Sequence, residues 1–219
     1  MSGARIRVAL ADDQELMRSA VEVMLEGPPD LELVAQAADG VELLERLRAR
    51  RADVVVMDVR MPRLDGIETT RRVRAEHPAT RVLVLTTFDL DEYVFAAIRA
   101  GASGFLTKDA SAEELATAIR AVHAGDATLA PRATASLVDF VAEAPQPVDV
   151  EALLAPFTTR EREVLALLVT GASNDEIAGR LYLTGNTVKT HIKAILAKLD
   201  LPDRVHVVIW AYEHGLVAR

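Results

Sequence analysis

The pattern that most restricts this chain is a series of five short aliphatic or β-branched runs, at 6–10, 31–36, 54–57, 82–85 and 104–106, separated by amphipathic stretches. Strands interleaved with helices make βαβ units, and βαβ units make a parallel sheet. Val54-Val55-Val56-Met57 and Val82-Leu83-Val84-Leu85 are apolar at every position, as strands covered by helices on both faces should be. Between the strands the apolar period is helical, for example Leu115, Ala118, Ile119 and Val122 behind a Ser111-x-x-Glu114 capping box. In such an open sheet the carboxyl ends of the strands share one edge, and ligands bind there.

Asp12, Asp13, Asp58 and Lys108 each stand at or just past the C-terminal end of one of these runs. Taken singly, each has an ordinary structural reading: a helix cap for Asp12-Asp13, a turn before Pro62 for Asp58, a solvated charge for Lys108. Taken together, they put three acids and one lysine at a single edge. Three neighbouring carboxylates repel unless a cation intervenes, and a hard divalent ion with oxygen ligands, above all Mg²⁺, resolves the conflict. Mg²⁺ held this way shares its remaining positions with waters and phosphate oxygens. Lys108 can neutralise a further phosphate oxygen, and the hydroxyl of Thr86 can donate to another. Asp58 is then the candidate nucleophile, forming an acyl phosphate.

The segments Asp12-Asp13, Val54-Val-Val-Met-Asp58-Val-Arg-Met-Pro62-x-x-Asp65-Gly66, Leu85-Thr86-Thr87 and Gly104-Phe105-Leu106-Thr107-Lys108 resemble the receiver domain of two-component response regulators over residues 5–124. The resemblance implies a flavodoxin-like sheet of order 2-1-3-4-5 and phosphorylation of Asp58 by a partner histidine kinase. It also implies Mg²⁺ held by Asp13, Asp58 and the Arg60 backbone carbonyl, with Asp12 acting through water. Lys108, Thr86, Thr87 and Phe105 match the phosphate-stabilising and switch positions. Arg60 is cationic where the family varies, Thr107 replaces an apolar residue, and Asp109 stands where many receivers have proline, which leaves open whether the Lys108–Asp109 bond is cis.

After His123 the periodicity gives way to Gly125, Pro131, Pro145, Pro147 and Pro156, with four acids and no base from Asp139 to Glu151. This reads as a linker with a helix over 132–141. From Phe157 the sequence has only helical stretches, punctuated by Thr158-x-x-Glu161 and Ser173-x-x-Glu176 boxes, Gly171, a Thr184 cap and Gly215. The expected domains are therefore 1–124, a linker over 125–156, and a small all-α four-helix domain over 157–219. Although the net charge is −8, residues 156–219 carry 8 Lys+Arg against 7 Asp+Glu, so a positive patch can form on that domain alone.

A helix to Leu181, a turn through Tyr182-Leu183-Thr184 and a longer helix from Gly185 make a helix-turn-helix. On its second helix Val188, Ile192, Ile195 and Leu199 should face inward and leave Lys189, Thr190 and Lys193 outside. No acid lies between Gly185 and Lys198, so a charge of +3 is expected on one exposed helix. Phe157-Thr-Thr-Arg160-Glu161-Arg-Glu163-Val-Leu165, Gly171-x-Ser173-Asn174-x-Glu176-Ile177-Ala178, Thr187-Val188-Lys189-x-His191 and Lys198-Leu199 resemble the LuxR-type DNA-binding domain over residues 157–217. The resemblance implies that Lys189, Thr190 and Lys193 meet base edges or nearby phosphates, that Thr184, Asn186 and Thr187 contact the backbone, and that Glu161 is structural. Asp200 stands where the family often has glycine, which puts the turn after the helix in question.

The two resemblances together describe a NarL/FixJ-type response regulator: a receiver whose phosphorylation with Mg²⁺ promotes a homodimer on double-stranded promoter DNA and controls transcription. It is not an enzyme beyond its own phosphotransfer and autodephosphorylation. With no cysteine, thiolate catalysis and Cys-based metal sites are excluded. No apolar run approaches the ~20 residues of a membrane span, so a soluble, cytoplasmic chain without a targeting segment is expected. Three alternatives stay open: a phosphorylation-independent DNA-binding regulator, a tail that binds protein instead of DNA, and a Mg²⁺-dependent phosphohydrolase, which gives no reason for the helical tail.

Overall fold

Strands β1 (Ile6–Ala11), β2 (Leu31–Ala37), β3 (Val54–Asp58), β4 (Arg81–Thr86) and β5 (Gly104–Thr107) form one parallel sheet of order β2-β1-β3-β4-β5. The computed structural model describes residues 5–86, 96–125 and 150–216, except the side chain of Tyr212. Every strand runs one residue beyond its apolar run, because a ladder is made by backbone groups and continues through Asp58, Thr86 and Thr107 whatever their side chains. Asp58 and Thr86 are thereby fixed to the sheet itself, while Asp12 and Lys108 follow directly on the ends of β1 and β5.

Because successive strand residues face opposite sides, the sheet has two cores. Ala9, Ala11, Val55, Met57, Val82 and Val84 pack with Leu43, Leu44 and Leu47 of α2 (Gly40–Ala49) and Val73 of α3 (Gly66–Glu76). Val8, Leu10, Val54, Val56, Leu83 and Leu85 pack instead with Val21 and Leu25 of α1 (Glu15–Glu26) and with Leu115, Ile119 and Val122 of α4 (Ala112–Ala124). Each such Leu or Val, fully buried, contributes about 1.5–3 kcal/mol.

The chain divides into two compact units, 1–127 and 128–219. In the second, α5 (Val150–Leu154), α6 (Thr159–Leu168), α7 (Asn174–Leu181), α8 (Gly185–Leu199) and α9 (Arg204–Glu213) follow in order. Val164, Leu168, Ile177, Val188, Ile195 and Val207 are the centre of its core. The short helix α5 lies in the stretch read from sequence as linker, where five helical residues are too few to show a period. The helix expected over 132–141 lies outside the described residues, as does Thr87.

The local signals operate as capping chemistry demands. Ser111–Glu114, Thr158–Glu161 and Ser173–Glu176 each close a reciprocal capping box, and Thr184 accepts from the N–H of Thr187 at the start of α8. Asp200 ends α8 in the left-handed conformation, φ 54° and ψ 41°, so the turn forms with aspartate where glycine is the common solution. The Lys108–Asp109 bond is trans, as are all peptide bonds among the described residues.

Candidate functional site

The strand register brings the first cluster together. Ala11 pairs with Met57, so Asp12 and Asp58 occupy the next level at the sheet edge, and Lys108 follows the last pair, Thr86 with Thr107. Carboxylate oxygens of Asp12, Asp13 and Asp58 all lie within 4.8 Å of one another, with Asp12 and Asp58 buried and Asp13 exposed. This all-oxygen donor set suits a hard divalent cation.

Lys108 holds the buried pair. Its Nζ lies 2.8 Å from Asp12 Oδ2 and 3.0 Å from Asp58 Oδ2. Burial pushes the Asp58 carboxyl above its ordinary value; Lys108 opposes that shift, and the Asp12 charge adds to it. For Lys108, burial works against the charge, but the hydrogen bonds to Asp12 and Asp58 outweigh it and raise its pKa. The remaining carboxylate atoms have fixed roles: Asp58 Oδ1 accepts from the Val59 N–H at 2.8 Å and Asp12 Oδ1 from the Gln14 N–H at 2.9 Å.

Thr86 is buried at the end of β4, and Phe105, opposite Val84 on β5, is partly buried against the first core. Arg60 is exposed two residues beyond Asp58. Two positioning roles were not recognised in the sequence. Arg18 donates from Nη1 to the Asp12 carbonyl at 2.8 Å. Gly66, the first residue of α3, packs so closely on the end of β3 that a Cβ there would stand 2.0 Å from the Asp58 carbonyl oxygen. Any side chain at 66 would push Asp58 out of place; the Asp65-Gly66 pair was the available signal, and only the packing explains it.

The second cluster lies on α8. Val188, Ile192 and Ile195 are buried, and Lys189, Thr190, Lys193, Asn186 and Thr184 are exposed, with Thr187 half-buried. The Thr184 and Thr187 hydroxyls meet at 2.8 Å, and Thr190 donates to the Asn186 carbonyl at 3.0 Å. All three lysines of α8 are exposed, as the +3 expected on one exposed helix requires, but they are not equivalent. Lys198 Nζ is 2.5 Å from Glu161 Oε2, below whose helix start lies the Phe157 ring, 5.9 Å from the same nitrogen. Lys198 is thereby tied to Glu161 of α6, while Lys189 and Lys193 lie further toward the start of α8 on its exposed face.

Glu161 also accepts from the Thr158 N–H at 2.7 Å, which makes it the joint between α6 and α8. The Lys198 bond, then the Thr158 backbone, hold its carboxyl below the ordinary value of 4.5. A depressed native pKa gives stability that is fully present above 4.5 and is lost as pH falls through the native value. In melts of the full chain followed by circular dichroism, the second unit of Glu161→Gln should melt below wild type at pH 7, and that gap should narrow progressively as the pH falls below 4.5. A gap that stays constant down the acid range would remove the ion pair as its cause.

Between α7 and α8 the turn residue Tyr182 adopts φ 55° and ψ 45°. A non-glycine residue in this left-handed region costs about 1–2 kcal/mol. Its own N–H and that of Leu183 both donate to the Ala178 carbonyl, and Arg160 Nη2 donates to the Leu181 carbonyl at 2.6 Å. The turn is thus held by backbone bonds and one arginine.

Comparison with known proteins gives two family matches: residues 8–120 match the response regulator receiver domain, and residues 155–211 match the bacterial regulatory proteins of the luxR family. The chain is 41% identical over 217 residues to the transcriptional regulatory protein YxjL of Bacillus subtilis strain 168, covering 99% of this chain and 100% of that one. It is 33% identical over 212 residues to the response regulator protein VraR of Staphylococcus aureus strain NCTC 8325 / PS 47, covering 97% and 99%. Among solved structures, the response regulator ChrA of a heme-sensing two-component system shares 35% identity, with a TM-score of 0.54 over 98% of this chain and 100% of that one.

Proposed function

This chain belongs to the response regulators that couple a receiver domain to a LuxR-type DNA-binding domain, and from that premise we propose that its output is switched by phosphorylation of Asp58. The protein is a DNA-binding regulator of a two-component system. The proposal divides it into a receiver over 1–124, a linker over 125–156 and a DNA-binding domain over 157–219, acting in the cytoplasm. Among the described residues no helix is long and apolar enough to cross a membrane.

One observation carries the reading: Lys108 reaches both Asp12 and Asp58 at a sheet edge where three carboxylates converge. Asp58 Oδ attacks the phosphorus of a phosphohistidine on the kinase; the O–P bond forms as the P–N bond breaks, leaving an acyl phosphate and the kinase imidazole. Asp13, Asp58 and the Arg60 carbonyl would hold Mg²⁺, with Asp12 acting through water. The ion, when bound, neutralises the charge gathering on the phosphoryl oxygens. Lys108 exchanges its bond to the Asp58 carboxylate for one to a phosphoryl oxygen, and the hydroxyls of Thr86 and Thr87 supply donors. The phosphoryl group brings about −1.5 to −2 charges, which draws Thr86 toward it and lets Phe105 move into the space released.

A single helix-turn-helix makes few base contacts, so specific binding calls for two copies on paired half-sites. In this reading Lys189, Thr190 and Lys193 meet bases or nearby phosphates, and Thr184, Asn186 and Thr187 meet the backbone. Sedimentation velocity of the full chain with Mg²⁺, with and without beryllofluoride, tests the coupling. Beryllofluoride should turn monomer into dimer and tighten binding to a duplex selected by this protein from a random pool. Identical sedimentation and identical affinity in the two conditions would defeat the phosphorylation switch and favour the phosphorylation-independent regulator.

A further inference from the structure

Tyr182 is 96% exposed, more than any other large hydrophobic side chain described, and it occupies a left-handed backbone position that glycine or asparagine would adopt with less strain. Neither the turn nor the core requires it. The bonds that hold the turn come from the backbone N–H groups of Tyr182 and Leu183 and from Arg160, and all of them would survive a change of side chain. The backbone therefore presents an aromatic ring to solvent, with only two side-chain torsions left to order and a hydroxyl at its far end.

Its place in the chain says what the ring meets. Tyr182 stands two residues, at most about 7 Å of extended chain, before Thr184, the cap of α8. If the start of α8 enters the groove, the turn that leads into it passes beside a phosphodiester strand. We propose that Tyr182 is a DNA-backbone contact, its phenolic O–H donating to a phosphate oxygen that flanks the groove occupied by α8. The inference rests on the reading of α8 as the DNA-facing helix. A neutral donor of this kind positions the domain without reading sequence and without releasing a counterion.

The test measures full-length protein, with Mg²⁺ and beryllofluoride, by fluorescence anisotropy at several salt concentrations. Two probes are used: the duplex selected from a random pool, and a duplex of unrelated sequence. Tyr182→Phe, which removes only the hydroxyl, should weaken both complexes about fivefold. Tyr182→Asn should weaken them about tenfold or more while melting no lower than wild type, since asparagine tolerates the left-handed conformation. Neither variant should change the slope of log affinity against log salt, whereas Lys189→Ala should reduce it by about one.

Wild-type affinity in both Tyr182 variants, with Lys189→Ala impaired, would overturn this inference alone. Wild-type affinity in all three would overturn the reading of α8 as well. Unchanged DNA affinity with reduced transcription from a purified template would overturn the phosphate contact and assign Tyr182 to a protein partner.

Discussion

Asp58→Asn, incubated with acetyl phosphate and Mg²⁺, should take up phosphoryl groups at least about 10³-fold more slowly than wild type, because the amide that replaces the carboxylate is no nucleophile. The substitution is close to isosteric, and the neighbours of Asp58 make it a clean one. Val59 N–H can still be accepted by the amide oxygen, and Lys108 retains Asp12 at 2.8 Å. The change also removes a carboxylate whose burial beside Asp12 raises its pKa, so loss of the fold is not expected. Intact-mass spectrometry reads the phosphoryl group directly, and a melt beside wild type checks the fold. With the nucleophile gone, DNA affinity should no longer respond to acetyl phosphate. Labelling of Asp58→Asn at the wild-type rate would move the phosphoacceptor to another residue of the cluster, and removal of Mg²⁺ by chelation should abolish labelling of wild type.

The second large effect is expected on α8. Lys189→Ala with Lys193→Ala should lower affinity for the selected duplex by about 10²–10³-fold and flatten its salt dependence by about two units of slope, one for each charge that meets the DNA. Both side chains are exposed, and alanine is the better helix former, so the helix should persist while its contacts go. The ion pair at Lys198 sharpens the experiment. Lys198→Ala removes one positive charge just as the others do, but it breaks the joint to Glu161. That variant should lose thermal stability first, with little change in salt slope. Equal slopes for all three lysines would mean that net charge, not the outward face of α8, governs binding. Unchanged affinity in the double variant would leave the tail as a protein-binding module.

Much of this organisation was legible in sequence because the signals are local. A capping box spans four residues, and Ser111, Thr158 and Ser173 each close theirs as spacing predicts. The run Val54–Met57 announces a strand buried on both faces whatever lies beside it, and the Tyr182-Leu183-Thr184 turn falls between α7 and α8 where punctuation placed it. Strand ends were harder, since Asp58 and Thr86 look like loop residues to a reading of hydrophobicity although the ladder includes them. Short α5 was missed for want of period, and Gly66 was noticed without its reason.

What the sequence determined by itself, then, is the strands, the longer helices and the edge at which Asp12, Asp13, Asp58 and Lys108 arrive, because alternation, helical period and strand direction are properties of neighbouring residues. Tertiary structure alone decided the pairings: Lys108 across both Asp12 and Asp58, Lys198 on Glu161, Gly66 against the Asp58 carbonyl. Those contacts depend on the register between strands and the packing of one helix on another. No periodicity encodes them, because they join residues far apart along the chain whose separation in space is fixed only when the chain has folded.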